Sequence, residues 1–220
     1  MGISAADALE RLSEGNRRFA CEERSPDIIV PAVHRQSLIA RQEPFAVILG
    51  CSDSRVPVEL IFGQGLGDLF VIRVAGNVVA SSQIGSVEFA AEQFGTRLVV
   101  VLGHTHCGAV EATLAELQRP TAQQSPNLRS IVDRIRPSVE GLLATELRHD
   151  RAALTREAVR ANVRMAVHQL RNGSAILERL IRSDDLLIVG AEYALETGKV
   201  EFFEGVPEIA QAALRGPGGS

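Results

Sequence analysis

The sequence predicts an α/β fold: a mainly parallel central sheet flanked by helices, with an N-terminal helical arm. Three observations point there. Four short apolar runs, Phe45–Leu49, Leu69–Val74, Leu98–Leu102 and Leu186–Val189, are continuous rather than alternating, the pattern of strands buried on both faces. Helical patterns fall between most of them, and such alternation argues for parallel pairing with helices on both faces. Three of the runs end in a glycine, Gly50, Gly103 or Gly190.

The elements follow in order. Residues 4–20 read as an amphipathic helix: Ser4 can cap it, Asp7 lies in its first turn, and Ala8, Leu9, Leu12 and Phe19 space as one apolar stripe. Residues 21–31 are polar and hold Pro26 and Pro31, which reads as a connecting arm. A short helix is expected over 32–41, then the strand at Phe45 and the strand at Leu69. Helices are expected over 84–94 and 108–118, on either side of the Leu98 strand. Gln118–Asn127, with two prolines, reads as a loop. One long helical region covers 127–182, ahead of the Leu186 strand, and Val200–Phe203 reads as a short edge strand. Residues 1–30 are thus expected to form a helical arm, 31–215 a single α/β domain, and 216–220 (GPGGS) a flexible tail.

Composition narrows the class. The 220 residues are 45% hydrophobic and 23% charged, ordinary for a globular protein and unlike a disordered chain, a collagen or a coiled coil. Net charge is −4 with no dense basic patch, so no nucleic-acid partner is expected. The longest apolar runs are too short to span a bilayer, so no membrane partner is expected. Three cysteines and no apolar leader segment favour a reducing, cytoplasmic setting over a disulfide framework. Aromatics are 4% and tryptophan is absent, so the core must be mostly aliphatic.

Two segments share one layout. Ala46–Gly50 runs into Cys51-Ser-Asp53-Ser-Arg55-Val-Pro57, and Leu98–Gly103 runs into His104-Thr-His106-Cys107-Gly108. In each, a potential metal ligand follows a strand at once. Ligands of open parallel sheets gather outside the carboxyl ends of the strands, so two neighbouring strands would bring Cys51, His104 and Cys107 together. Two thiolates and one imidazole suit zinc better than a hard cation, and three protein ligands with an open fourth position is a catalytic arrangement. Taken singly, Cys51 or Cys107 is as readily core filler. Asp53 and Arg55 tip the balance, because charges beside a thiolate at a strand end are costly unless paired or metal-bound. Zinc lowers the pKa of bound water enough for hydroxide to be present at neutral pH, and two thiolates should push that pKa upward.

The remaining candidates read blandly. His106 is a shuttle or, more simply, a surface group, and His34, His149 and His168 have no ligand spacing. Cys21 sits in the polar arm and is not expected to take part. Arg73 is expected to pair with a carboxylate in the core or across an interface. Gly67 and Gly76 suit turns, since phosphate-binding glycine spacings are missing. Arg148, Arg151, Arg156, Arg160 and Arg164 suit a solvated face or interface salt bridges.

CSDSRVP together with GHTHCGA closely resembles the β-class carbonic anhydrases. The likeness extends to Gly15–Phe19, Gly67–Phe70, Arg73–Asn77 and Gly85–Glu88, and covers about residues 9 to 205. The resemblance implies zinc-dependent reversible hydration of carbon dioxide to bicarbonate by zinc-bound hydroxide. It implies Cys51, His104 and Cys107 as zinc ligands, and Asp53 and Arg55 as the catalytic dyad. Asp53 would join the metal only in a closed state. Gln42 matches a glutamine that hydrogen-bonds substrate, Phe70 an aromatic wall residue and Phe89 a wall position where tyrosine is familiar. Ala75 stands where valine is familiar, and Gly108 would let its backbone approach the pocket. A homodimer or higher homo-oligomer is implied, with the first helix reaching to the partner and Phe89 matching a position that lines the pocket from a neighbouring subunit. Hydrolysis of carbonyl sulfide or carbon disulfide on the same fold is an alternative, as is a non-catalytic zinc-binding subunit, against which the intact dyad argues. Some relatives are shut by bicarbonate in a pocket of Trp, Arg and Tyr. Arg73 and Tyr193 match two of these, but Ile48 replaces the Trp, so no bicarbonate-locked state is expected.

Overall fold

A computed structural model describes residues 3–22, 32–120, 125–183 and 186–208. Most of the polar arm with Pro26 and Pro31, and the tail over 216–220, lie outside the described residues. In chain order the elements are α1 (Ala5–Ala20), α2 (Ala32–Ser37), β1 (Ala46–Gly50), α3 (Val58–Ile61), β2 (Leu69–Arg73), α4 (Ser81–Gln93), β3 (Leu98–His104), α5 (Gly108–Gln118), α6 (Pro126–Val139), α7 (Arg151–Asn172), α8 (Ala175–Arg182), β4 (Leu187–Tyr193) and β5 (Val200–Glu204).

The strands form one sheet in the order β2-β1-β3-β4-β5. The first four run parallel and β5 is antiparallel at the edge. Every residue of β1 and β3 is buried, which is why their apolar runs do not alternate. Alternate residues still divide between two cores. Ile48, Val100 and Val189 face one cluster with α1 and α3; Val47, Val99, Val101 and Ile188 face another with α4, α7 and α8. A third cluster joins Cys51 and Cys107 to α5, α6 and the start of α7.

Three features correct the sequence reading. First, α1 is not an arm reaching away from the domain. Ser4 caps it, its hydroxyl oxygen accepting from the Asp7 N–H at 3.1 Å, but its stripe lies on its own chain. Leu9 and Leu12 are fully buried beside Phe62. Gly15 lets the helix touch the α3 turn, where an added Cβ would lie 1.9 Å from the Phe62 carbonyl oxygen. The Asn16 amide donates to the carbonyls of Ile61 and Gly198 and accepts from the Val200 N–H. Burial of the two leucines alone is worth about 1.5–3 kcal/mol each, a strong reason for the helix to fold back.

Second, the long helical region is three helices. Two tight 3-10 turns, Glu140–Ala144 and Glu146–His149, follow α6. Asp150 then restarts the chain as a cap, accepting from the Ala153 N–H at 3.0 Å. Ser174 caps α8 in the same way. Third, β3 and β4 do not stop at their glycines. Gly103 and Gly190 are interior strand residues where α7 crosses the sheet, and a Cβ on either would lie 2.6 or 2.7 Å from Val163. The missing side chains make room for the helix. Continuing through Gly103 carries His104 to the strand end.

Candidate metal centre

The carboxyl ends of β1 and β3 are adjacent, with Gly50 paired to Leu102. The chain therefore delivers Cys51, just after β1, next to His104, the last residue of β3. Cys107 follows as the cap residue of α5. The two sulfurs and one ring nitrogen lie within 4.8 Å of one another, and all three residues are buried.

The donor set fits a metal. Nδ1 of His104 lies 2.8 Å from the Thr105 carbonyl oxygen. A carbonyl only accepts, so Nδ1 carries the hydrogen and Nε2 presents its lone pair. That Nε2 is buried and has no hydrogen-bond partner. Leaving a buried polar atom unpaired costs about 1–3 kcal/mol, and a cation among the three residues would satisfy it. The thiols titrate as a pair. Cys51 is driven well below the ordinary thiol range, chiefly by the hydrogen bond from Cys107, with the Gly76 N–H assisting against burial. Cys107 is driven upward, because it is that donor and because burial and the Cys51 charge oppose a second thiolate. A divalent cation supplies the charge that two thiolates need.

Asp53 and Arg55 stand beside this cluster as a two-point pair. Arg55 Nε donates to Asp53 Oδ1 at 2.9 Å and Nη2 to Oδ2 at 2.7 Å, and the Arg55 backbone N–H adds a third bond to Oδ1. The guanidinium holds the Asp53 carboxyl far below the usual carboxylate range. Oδ2 of Asp53 is 3.9 Å from His104 Nε2, so the carboxylate overlooks the metal position while remaining on Arg55.

Arg73, expected to meet a carboxylate, instead donates to two carbonyls, Cys51 O at 3.0 Å and Asp53 O at 2.5 Å. It pins the loop that carries the dyad. Ile48 is buried in the sheet core, and Tyr193 is buried with its ring 6.5 Å from that of Phe19. Ala75 begins a 3-10 turn over Ala75–Asn77, and the Gly76 N–H donates to Cys51 Sγ at 3.3 Å. Gly76 has φ +68°, and a Cβ there would lie 2.8 Å from Ile135. Gly108 opens α5 directly after Cys107. Ala75 and Gly108 thus sit at the cluster.

Gln42, Phe70 and Phe89 do not. Phe70 pairs with Val47, four residues before Cys51, about 13 Å away along the strand. Its ring instead meets Phe89 and Phe94, at 6.3 and 5.9 Å. Gln42 lines an open cleft of about 820 Å³ with Leu38, Ile39, Leu66 and Phe94. Phe94 touches the rings of both Phe70 and Phe89 and also lines the cleft of Gln42, so the three residues lie around it, toward the start of β1 and away from the sulfurs.

Two contributors escaped the sequence reading. Asn162 is a buried polar residue in the apolar stripe of α7, and its amide donates to Gly76 O at 2.8 Å, steadying the turn that serves Cys51. Its signal was a lone asparagine among Ala158, Val159, Val163 and Ala166. Glu196, in the turn between β4 and β5, accepts from Thr105 and His106 and had no local signal. His149 and His168 are exposed and remote in sequence from the ligands; the side chain of His34 lies outside the described residues.

Comparison with known proteins agrees with this geometry. The family profile described as carbonic anhydrase matches residues 46–200. The chain is 40% identical to carbonic anhydrase 2 of Mycobacterium tuberculosis, over 93% of this chain and 95% of that protein. It is 38% identical to a carbonic anhydrase of Mycolicibacterium smegmatis, over 93% and 96%. Among solved structures it resembles the β-carbonic anhydrase CafA of Aspergillus fumigatus, with a TM-score of 0.70 and 26% identity over 95% of each chain.

Proposed function

The chain belongs to the β class of the carbonic anhydrase family and is a carbonate dehydratase, and from that premise we propose that it hydrates carbon dioxide reversibly on a zinc ion held by Cys51, His104 and Cys107. One observation carries the reading: a buried Cys-His-Cys cluster whose imidazole Nε2 is unpartnered, with an ionised Asp–Arg pair against it. When bound, the zinc supplies the Lewis acidity that makes water a nucleophile at neutral pH.

The chain's own residues do the rest. Asp53, kept on Arg55, accepts a hydrogen bond from the attacking water and aims its lone pair at the carbon of the substrate. Arg55 also keeps the carboxylate from taking the fourth position; released, Asp53 would close the site as a ligand. The Gly76 N–H, donating to Cys51, moderates the charge on that sulfur. Ala75 and Gly108 leave room at the mouth.

The substrate wall requires a second copy of the chain. Gln42, Phe70 and Phe89 cannot reach their own cluster, yet they gather on a surface where Phe89 is 52%, Leu66 48% and Ile39 84% exposed. An apolar patch of that kind marks an interface. In a homo-oligomer, one protomer's Gln42, Phe70 and Phe89 face its partner's metal. A cytoplasmic location belongs to this reading, since Cys51 and Cys107 must stay reduced to hold the metal. Among the described residues no helix is long and apolar enough to cross a membrane.

The test is stopped-flow hydration by zinc-loaded and chelated protein, run beside sulfide release from carbonyl sulfide and carbon disulfide. Zinc-dependent hydration is expected. Sulfide release without hydration would sink the reading.

A further inference from the structure

The segment from His104 to Cys107 is held from outside as well as by its sheet. The Thr105 N–H extends the strand by donating to Tyr193 O at 3.0 Å. The next residue, His106, stands at φ +55°, a left-handed conformation that costs a non-glycine residue of order 1–3 kcal/mol unless its surroundings impose it. Glu196 supplies that constraint. Its Oε1 accepts from His106 Nε2 at 2.7 Å and its Oε2 from the Thr105 hydroxyl at 3.0 Å. The Thr105 hydroxyl oxygen in turn accepts from the Leu195 N–H at 3.0 Å, so the clamp is anchored at both ends.

The clamp has an address. The left-handed turn at His106 directs its carbonyl at Arg55, whose Nη2 donates to it at 3.0 Å. The same Nη2 donates to Asp53 Oδ2 at 2.7 Å. A continuous chain of contacts therefore runs from Glu196 through His106 and Arg55 to Asp53. Side chains of Glu196 and His106 are 53% and 62% exposed, and ion pairs so exposed contribute little to stability. The contribution of this one lies in where it puts a carbonyl.

We propose that Glu196 is a positioning residue for the hydration reaction: by clamping Thr105 and His106 it fixes the carbonyl that holds Arg55, and through Arg55 it fixes the Asp53 carboxylate. This rests on Asp53 and Arg55 being the reaction dyad. Removing the clamp leaves substrate and metal binding alone and loosens the carboxylate that aims the water.

Glu196→Ala is expected to keep full zinc and to melt within a few degrees of the parent, with kcat about five- to tenfold lower and KM within about twofold. Glu196→Gln should recover most of that loss. Its amide oxygen can accept from Thr105, and its N–H can donate to the other tautomer of His106. In an Arg55→Ala background, Glu196→Ala should cost nothing further. A readout in metal-free protein is the Arg55 Nε–H resonance, assigned by its absence in Arg55→Ala. It should be sharp and slow to exchange in the parent and in Glu196→Gln, and broadened in Glu196→Ala. The idea is overturned by an unchanged kcat and resonance in Glu196→Ala, by Glu196→Gln behaving like alanine, or by an equal further loss on top of Arg55→Ala. Failure of the metal reading shows separately, as a His104→Ala protein that keeps its zinc and its rate.

Discussion

At the scale of single residues, the site is made of short-range pairs set against one long-range meeting. Cys51, Asp53 and Arg55 lie within five residues, so their association is legible in the sequence. His104 and Cys107 join them only because β1 and β3 are neighbours. Nε2 of His104 is the atom with most to lose, being buried and unpaired without a cation. Cys51→Ser or His104→Ala should therefore remove most of the zinc and nearly all hydration, read by metal analysis and stopped flow; full zinc with full rate would refute the ligand set. Arg55→Ala should also be slow, since the freed Asp53 can then capture the metal, and a normal rate with Asp53 remote from it would contradict that. The pH dependence follows from the sign of the Asp53 shift. Its carboxyl is depressed below the ordinary value of 3.8, first by the Arg55 side chain, so the ion pair and the stability it gives are intact above that pH. They are lost only as pH falls further, through the depressed value. The ¹³C carboxyl signal of Asp53 should thus show no protonation between pH 7 and pH 4. Loss of activity as pH falls from 8 to 6 then belongs to another group. It should follow a shallow, one-proton curve unmoved by added bicarbonate, because the Ile48 side chain has no N–H to offer an anion and the Arg73 guanidinium is tied to two carbonyls. A steep, bicarbonate-sensitive loss would defeat this.

At the scale of elements, continuous apolar runs identified all four parallel strands, and the short Val200 run identified the edge strand. What the sequence hid were features settled by partners far along the chain. A glycine after an apolar run reads as a stop, but at Gly103 and Gly190 it is a gap that α7 fills. The break between α6 and α7 lacked a strong local signal, because Asp150 as a cap looks like any other acidic residue in a helical stretch. Amphipathicity of α1 showed that it would bury a face but not against which chain; Gly15 and Asn16 decide that. These close approaches are testable. Gly103→Ala or Gly190→Ala forces a methyl to 2.6 or 2.7 Å from Val163, and overpacking of this kind costs about 1–3 kcal/mol. Each should lower the unfolding free energy in urea, and Val163→Ala in the same chain should recover part of it. If Val163→Ala only adds to the loss, α7 does not cross the sheet where described.

At the scale of the whole molecule, one sheet carries the Cys-His-Cys cluster at one end and the residues proposed as its substrate wall at the other. Cys51, His104 and Cys107 sit at the carboxyl ends of β1 and β3. Gln42, Phe70 and Phe89 sit near the start of β1, around an exposed aromatic cluster. The resemblance assigned both sets to one pocket, and for Phe89 alone it pointed to a neighbouring subunit. The fold separates Phe70 from the ligands as well, by about 13 Å of strand between Phe70 and Cys51. If the halves meet across an interface, they must be separable by genetics. A Cys51→Ser chain keeps its wall and loses its metal, and a Gln42→Ala chain keeps its metal and loses its wall. Each should be nearly inactive alone. Refolded together in equal amounts, about half of the dimers are mixed, and each mixed dimer holds one complete site of two, so activity should return to about a quarter of the parent's. The assay is stopped-flow hydration on the mixture, with zinc content measured alongside. Recovery cannot occur if every site is built within one chain, because neither chain then has all its parts. Activity of the mixture equal to the mean of the two variants alone would therefore place Gln42 outside the partner's site and return the wall to a single protomer.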